Sequence, residues 1–455
     1  MDKFNFYFFK YRWIFFALSF LCLFFINNLW VYLFFVMCIL LMCLASVKLD
    51  FCHPYCNILP LFVLYQIAYP ILNNYGIVVF KKMPLNDNYF LYSYSAIILF
   101  IIFLGKVKKI KYRKEKISLE LKNKMLYSIF IILGILAFSS SIYILIKGYS
   151  TKYELAQNMN FFIKIGSMAY VGIIPITCTI FLNKNSTKKE KIIFCILSLI
   201  LMLFGMMTTG ERSYVFNYIM MAFLIYMSFY DISFKKKIAL ILIMIFFVAN
   251  SANLKMFFNK NNPYTDNKRE ENFVFKFLNS DFASQGFNFN FLLENDERYE
   301  KFYGKTYVYD LLSPVDDLIP SLNNWNSNRW YQNTFWATRR TGLGFTIVGE
   351  GYINFGVFGI VLSMFFLAFL TKRIYNASRH NAYLYIIYFA FVNYSMYANR
   401  GNFGNIISPL FKYYVLILII IYYLNYVEYN NKKLYYKDKL IYSFNKKEDD
   451  KYELL

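Results

Sequence analysis

The fold is decided by residues 346–370, which read TIVGEGYINFGVFGIVLSMFFLAFL. Glu350 is the one charged residue in this stretch, which is longer than the ~20 apolar residues that a helix needs to cross a membrane. Stretches of the same kind precede and follow it. Hydrophobic residues make up 58% of the sequence, above the roughly 45–50% of a soluble domain. The sequence therefore predicts an all-α, polytopic integral membrane protein.

The lengths of the apolar stretches predict about twelve transmembrane helices. They lie at residues 13–27, 29–46, 51–73, 89–105, 125–146, 161–183, 192–209, 213–230, 238–254, 346–370, 382–398 and 405–426. The first stretch has no small-residue cleavage site and leads directly into the second. We therefore expect it to be a membrane anchor rather than a signal peptide.

Lys and Arg are distributed unevenly between alternate connecting segments. With both termini cytoplasmic, the cytoplasmic segments hold roughly thirty of them and the short outer loops roughly six, the bias typical of membrane proteins. This orientation predicts four parts: an N-terminal membrane domain of about nine spans (1–255), one large extracytoplasmic loop with short interfacial helices (256–345), three C-terminal spans (346–426) and a basic cytoplasmic tail (427–455).

The net charge of +22 does not indicate a nucleic-acid partner, because the basic residues cluster in short segments between apolar stretches. Such clusters attract anionic membrane lipids, which we expect as partners. Cys52, His53 and Cys56 lack a second pair of ligands, so packing explains them better than a metal. Both histidines are predicted on the inner side. We expect neither a metal site nor a cofactor.

Two charged pairs are predicted on the outer face. Glu211 and Arg212 form a polar turn between two spans, where a charge inside the membrane would cost about 2.5–3.5 kcal/mol without water or a partner. Arg339 and Arg340 precede a Gly-containing loop, and guanidinium groups bind phosphate oxygens in a bidentate fork. The alternatives are a self-paired turn for the first pair and ordinary interfacial anchoring for the second.

The predicted topology places further polar residues on the same face. Glu350 begins the tenth span ahead of Asn354, which is a candidate substrate ligand, and near arginines Glu350 could accept a proton from a sugar hydroxyl. A favourable position in the helix dipole is its structural alternative. Arg400 lies in the short turn before the last span, and Lys412 lies two to three turns further along the chain. Intramembrane cations usually face a cavity or a partner, so both are candidate substrate ligands.

The long outer segment carries Trp330 and Trp336 among several asparagines. Aromatic faces stack on sugar rings and amides bond to hydroxyls, so both tryptophans are candidate sugar ligands. Trp is also typical of interfacial belts in membrane proteins, which is the structural alternative.

Two short motifs resemble the O-antigen polymerase (Wzy-type), or oligosaccharide repeat-unit polymerase, family. Gly349-Glu-Gly-Tyr-Ile-Asn-Phe-Gly356 is similar to the family's glutamate-tyrosine-asparagine-phenylalanine-glycine signature, and Thr208-Thr-Gly-Glu-Arg-Ser213 is similar to its earlier arginine-bearing turn. The resemblance extends to the predicted number of spans and the large outer loop late in the chain. It implies a GT-C-like glycosyltransferase architecture.

The resemblance also implies an activity. The protein would polymerise undecaprenyl-pyrophosphate-linked oligosaccharide repeat units into a surface polysaccharide, O-antigen or capsule, on the outer face of the bacterial cytoplasmic (inner) membrane. Arg212, Arg339, Arg340 and Arg400 would stabilise the departing pyrophosphate. Glu350 or Glu211 would be the base for the acceptor hydroxyl. A chain-length regulator would be a further partner.

Two other functions remain open from the sequence alone. O-antigen ligases carry a histidine in the large outer loop, and residues 256–345 contain none. A flippase for the same lipid-linked sugars would carry charges along a path through the membrane and have two comparable halves. Here the charges gather on the predicted outer face, which favours the polymerase.

Overall fold

The computed structural model describes residues 3–110, 117–149, 158–229, 273–279, 282–337 and 344–427, with a few isolated positions between them. The predicted span at 238–254, the pair Arg339 and Arg340, and the basic tail beyond residue 427 lie outside the described residues. Within the described part every regular secondary-structure element is a helix, and a single isolated β-bridge joins Leu119 and Asn183. The all-α prediction is confirmed for this part.

The helices of the N-terminal half are α1 (Lys3–Phe25), α2 (Leu29–Ser46), α3 (Pro54–Asn57), α4 (Leu59–Asn74), α5 (Tyr89–Leu104), α6 (Asn123–Lys147), α7 (Phe161–Leu182), α8 (Lys188–Thr209) and α9 (Ser213–Phe229). Those of the C-terminal half are α10 (Phe273–Leu278), α11 (Ala283–Glu294), α12 (Lys305–Leu312), α13 (Ser327–Phe335), α14 (Ile347–Phe355), α15 (Val357–Ala377), α16 (Ala382–Ala398) and α17 (Gly404–Pro409). A π-helical segment, Leu410–Val415, continues α17 and the helix extends to Val427.

Seven helical stretches of the described residues are long and apolar enough to cross a membrane. They are Leu29–Ser46, Pro54–Asn74, Asn123–Lys147, Phe161–Leu182, Lys188–Thr209, Ile347–Ala377 and Gly404–Val427. Three shorter apolar helices, Arg12–Phe25, Tyr89–Leu104 and Ser213–Phe229, coincide with further predicted spans. The total of about twelve spans, the cytoplasmic position of both termini and the GT-C-like architecture remain predictions.

The stretch 346–370 is not one continuous helix. It breaks at Gly356, whose φ of +59° ends α14, and α15 then folds back against α14. The two backbones touch so closely that a Cβ on Gly359 would lie 1.8 Å from the carbonyl oxygen of Gly351. Hydropathy does not detect this break, because the residues on both sides of Gly356 are apolar.

Part of the predicted outer loop is a buried helix. Helices at Phe273–Leu278 and Lys305–Leu312 lie where the sequence predicts short interfacial helices, whose place at the membrane surface stays a prediction, and α11 between them was not predicted. It packs against α4 and α14 with nearly every residue buried. Gly286 permits this packing, since a Cβ there would lie 2.6 Å from both the Tyr69 Cβ and the Tyr89 hydroxyl. The loop is therefore anchored among the apolar helices.

Candidate functional site

Glu350 lies at a junction of three segments. Helix α14 carries it, and its carboxylate is fully buried. Its Oε2 accepts a hydrogen bond from the Phe403 backbone N–H at 3.0 Å, and its Oε1 accepts one from the Ser327 hydroxyl at 3.2 Å. Asn402 Nδ2 donates to the same hydroxyl at 3.1 Å. Glu350 thereby joins α14 to the start of α13 and to the turn before α17.

Asp310 is a second buried carboxyl group, within hydrogen-bonding range of Glu350. Burial and the neighbouring charge of Glu350 raise the pKa of Asp310 well above its ordinary value. The backbone of Gly404 packs against the Asp310 carboxyl group, since a Cβ on Gly404 would lie 2.8 Å from Asp310 Oδ1. The raised pKa favours a protonated Asp310, whose hydroxyl can donate to Glu350, so the pair holds one proton between two carboxylates.

Asn354 connects α14 to the segment before α12. Its Oδ1 accepts from the Gly304 N–H at 2.9 Å, and its Nδ2 donates to the Thr306 hydroxyl at 2.6 Å and to the Glu350 carbonyl at 2.8 Å. The side chain is fully buried. These hydrogen bonds join it to three protein groups, so the structure places this candidate substrate ligand among the groups that hold Glu350.

A cavity of about 550 Å³ lies beside this junction. It opens between the turn after α8, the segment from α12 onwards, and helices α16 and α17. Polar and aromatic side chains dominate its lining. The lining residues are Leu155, Met159, Ser167, Val171, Thr209, Glu211, Ser213, Tyr214, Asn217, Tyr309, Ser313, Asp316, Asn326, Tyr394, Tyr397, Asn402, Gly404, Asn405, Ser408, Pro409 and Tyr413. Glu211 faces this cavity, and Glu350 lies behind its wall.

Lys412 forms an ion pair on the wall of the cavity. It lies in the π-helical segment of α17, and its Nζ is 2.9 Å from Asp316 Oδ1. The other oxygen of Asp316 accepts from the Tyr309 hydroxyl at 3.2 Å, which in turn accepts from Asn326 Nδ2 at 2.8 Å. Burial raises the pKa of Tyr309 to about 12, so its hydroxyl remains protonated. π-Helical segments are frequent at functional sites.

Two of the predicted arginines, Arg212 and Arg400, are close in sequence to residues that line the cavity. Arg212 lies between Glu211 and Ser213, which both line it, and is half-buried. Arg400 is also half-buried, and its carbonyl accepts from the Phe345 N–H at 3.0 Å. Gly344 adopts a φ of +72° against this carbonyl. The segment that follows Arg339 and Arg340 therefore contacts the Arg400 turn.

Trp330 and Trp336 lie in an aromatic cluster rather than on the cavity. The ring of Trp330 contacts those of Tyr299 and Phe302 at centroid distances of 5.3 and 5.0 Å. Trp336 contacts Phe291 at 5.3 Å. Their role as sugar ligands remains a prediction, and the structure assigns both a part in packing the loop.

Sequence reasoning missed three residues of this region: Asp310, Asp316 and Ser327. One signal for Asp310 was present, because the buried residues Thr306, Tyr309 and Asp310 of α12 have the i, i+3, i+4 spacing of one helix face. A carboxylate on the buried face of a helix needs a partner. Asp316 and Ser327 carry no comparable local signal.

The helices and the cavity define a class: an all-helical membrane protein with a cavity between its helices that polar and aromatic residues line. The family model for the O-antigen polysaccharide polymerase Wzy matches residues 9–433, nearly the whole chain. The chain belongs to this family, and the predicted resemblance is confirmed. No curated protein and no solved structure matches it. Membership assigns a general O-antigen polymerase role, a glycosyl transfer on lipid-linked oligosaccharide repeat units.

Proposed function

We propose that the protein joins repeat units carried on undecaprenyl pyrophosphate, on the outer face of the bacterial cytoplasmic membrane. Family membership supports the polymerisation, and one observation supports the location of the chemistry. The cavity is lined by the half-buried carboxylate of Glu211, which Arg212 follows in the chain. It is also lined by Asn402, which stands two residues after Arg400. A base and cations are the groups that this reaction requires.

The proposed reaction transfers the growing glycan to the next unit. A hydroxyl of the incoming unit attacks the anomeric carbon of the growing chain, and the bond from that carbon to the pyrophosphate oxygen breaks. Undecaprenyl pyrophosphate leaves, and the hydroxyl proton passes to a carboxylate. Glu211 suits this role better than Glu350, because it lines the cavity and is half-buried while Glu350 is fully buried.

Glu350 and Asn354 then act as positioning residues. Glu350 holds the N–H of Phe403, between Asn402 and Gly404, which both line the cavity. Asn354 holds α14 to the segment before α12. The family's glutamate-containing motif would thus shape the cavity wall rather than touch the reacting atoms.

The pyrophosphate requires positive charge where it departs. We assign this role to Arg212 and Arg400, together with Arg339 and Arg340 from the segment that precedes Gly344. Guanidinium groups stay charged at any physiological pH and bind phosphate oxygens in pairs. Lys412 is already paired with Asp316, so we assign it to the cavity wall rather than to the phosphate. A chain-length regulator is an expected partner of the assembled enzyme.

The test is the surface-glycan profile of a deletion strain, beside the parent and strains complemented with the native or variant chain. The proposal predicts loss of the long ladder, single repeat units outside the membrane, and rescue by the native chain. Complementation by Arg400→Ala, or by Arg339→Ala and Arg340→Ala separately, should yield short chains or none. A normal ladder from all of these variants would overturn the pyrophosphate assignment. Single units trapped inside the cell would indicate a flippase instead.

A further inference from the structure

The cavity wall has a chemistry that differs from that of a phosphate site. Its described lining residues include two carboxylates, Glu211 and Asp316, and no Lys or Arg. Lys412, whose partner Asp316 lines the cavity, is engaged in that ion pair. A pyrophosphate placed in this space would face like charge, which disfavours it by Coulomb repulsion.

The same lining matches a saccharide. Amide, hydroxyl and carboxylate groups accept and donate hydrogen bonds to sugar hydroxyls, and the tyrosines offer flat apolar faces with a polar edge. The amides come from Asn217, Asn326, Asn402 and Asn405, and the tyrosines are Tyr214, Tyr309, Tyr394, Tyr397 and Tyr413. The volume of about 550 Å³ lies within the range of small-molecule sites.

Both carboxylate oxygens of Asp316 are bonded to other side chains of this wall. Lys412 holds one of its oxygens and the Tyr309 hydroxyl holds the other, and Asn326 fixes that hydroxyl in turn. The exposed fraction of the Asp316 side chain is 23%, so it can still be reached from the cavity. Each carboxylate oxygen can accept more than one hydrogen bond, so capacity for sugar hydroxyls remains. A carboxylate in an ion pair offers these hydroxyls acceptor oxygens.

We propose that the cavity is the binding site for the saccharide of the acceptor unit, and that Asp316 is a substrate-binding residue that accepts hydrogen bonds from its hydroxyls. The pyrophosphates stay outside this space, with the arginines. Tyr309 and Lys412 act as positioning residues for Asp316. This inference rests on the proposed polymerase function. It adds that the saccharide and the charged pyrophosphate of its carrier lipid bind at separate places.

The test measures binding of two probes to the purified full-length chain. One probe is the repeat-unit oligosaccharide released by mild acid from the carrier lipid of the deletion strain, and the other is inorganic pyrophosphate. Asp316→Asn removes a charged acceptor of the kind that changes affinity by about tenfold to a hundredfold. We expect this loss for the oligosaccharide and unchanged affinity for pyrophosphate. Asp296→Asn, which breaks the distant ion pair with Lys301, is the matched control for both probes.

A double variant separates ligand binding from charge pairing. Asp316→Asn leaves Lys412 without its carboxylate, which could disturb the wall by itself. Asp316→Asn combined with Lys412→Met removes both charges. If Asp316 contacts the sugar, the double variant remains defective in oligosaccharide binding although its thermal stability recovers.

Three results would overturn the inference: oligosaccharide binding that Asp316→Asn does not change, native oligosaccharide affinity in the double variant, or competition between pyrophosphate and the oligosaccharide for one site. Failure of the proposed function is visible elsewhere. An unchanged glycan ladder in the deletion strain would refute the polymerase itself. A lost ladder with unaltered binding by Asp316→Asn would refute only the saccharide site.

Discussion

Glu211 and Glu350 occupy similar places in the sequence but different places in the structure. Each stands beside glycine near one end of an apolar stretch, and each was a candidate base. Glu211 is half-buried and lines the cavity. Glu350 is fully buried, bonded to Ser327 and Phe403, and paired with Asp310. Complete burial favours a supporting role for Glu350, whereas proton transfer to a carboxylate requires access from a cavity, which Glu211 has.

Isosteric amides provide the strongest test of this comparison. We expect Glu211→Gln to lower the turnover of lipid-linked units by about a hundredfold to ten-thousandfold, the contribution of a general base. Glu350→Gln should keep most of the activity, because an amide can still accept from the Phe403 N–H. The measurement is polymer formed from lipid-linked units by purified protein. Equal losses of turnover in both variants would contradict the assignment of different roles to the two glutamates.

The fold-back of α14 on α15 should be the next most sensitive feature. Gly359→Ala would drive a methyl group into the Gly351 carbonyl, and we expect a loss of about 3 kcal/mol in the free energy of unfolding. Gly134→Ala is the control, since its nearest neighbour would be a Leu201 methyl at 3.6 Å. Thermal unfolding in detergent measures both. Similar midpoints for the two variants would argue against the close contact.

Truncation to alanine should lower the stability of the protein more at Glu350 than at Glu211. Glu350→Ala leaves the Ser327 hydroxyl and the Phe403 N–H buried without their acceptor, which costs about 2 kcal/mol or more. Glu211→Ala should change stability by less than about 1 kcal/mol, as expected for a partly exposed polar residue. Chemical denaturation of the two variants measures this difference. The assignment of Glu350 as a support would be abandoned if its truncation were the milder of the two.

The smallest expected effect is on the pH dependence of stability. Asp310 has a raised pKa in the folded protein, so folding takes up a proton, and the free energy of unfolding falls as pH rises from the unfolded towards the folded pKa. Asp310→Asn mimics the protonated acid and should make this fall, which begins above the unfolded Asp pKa of about 3.9, shallower. Midpoints of thermal unfolding across this range are the measurement. A slope identical to that of the native chain would mean that Asp310 does not hold the proton.

Local pattern was sufficient for the helices and for part of the site. Each predicted span within the described residues is helical, because span length and apolar content are local properties, although 51–73 and 346–370 are each divided into two helices. Glu211 and the Arg400 turn were recognised as charges at the ends of apolar stretches, and the structure brings Glu211, Asn402 and Asn405 to one cavity. The turn carrying Phe403 also reaches Glu350.

Local pattern could not supply the contacts between distant segments. Lys412 and Asp316 are 96 residues apart in the chain, and their pairing depends on how α17 packs against the segment after α12. The break at Gly356 depends on one backbone torsion within an apolar stretch. The burial of α11 depends on Gly286 meeting two tyrosines of other helices. Each of these features follows from shape rather than from composition.

The break at Gly356 also changes which residues of this stretch are needed to cross the membrane. Helix α15 alone has 21 residues, and at 1.5 Å per residue it measures about 31 Å, enough for a hydrocarbon core of about 30 Å. Helix α14 is therefore not needed for the crossing, although a hydropathy plot merges it with α15. Insertion of this segment would not require a carboxylate to enter lipid. The side of the membrane on which the following loop emerges would be the same if α14 were absent.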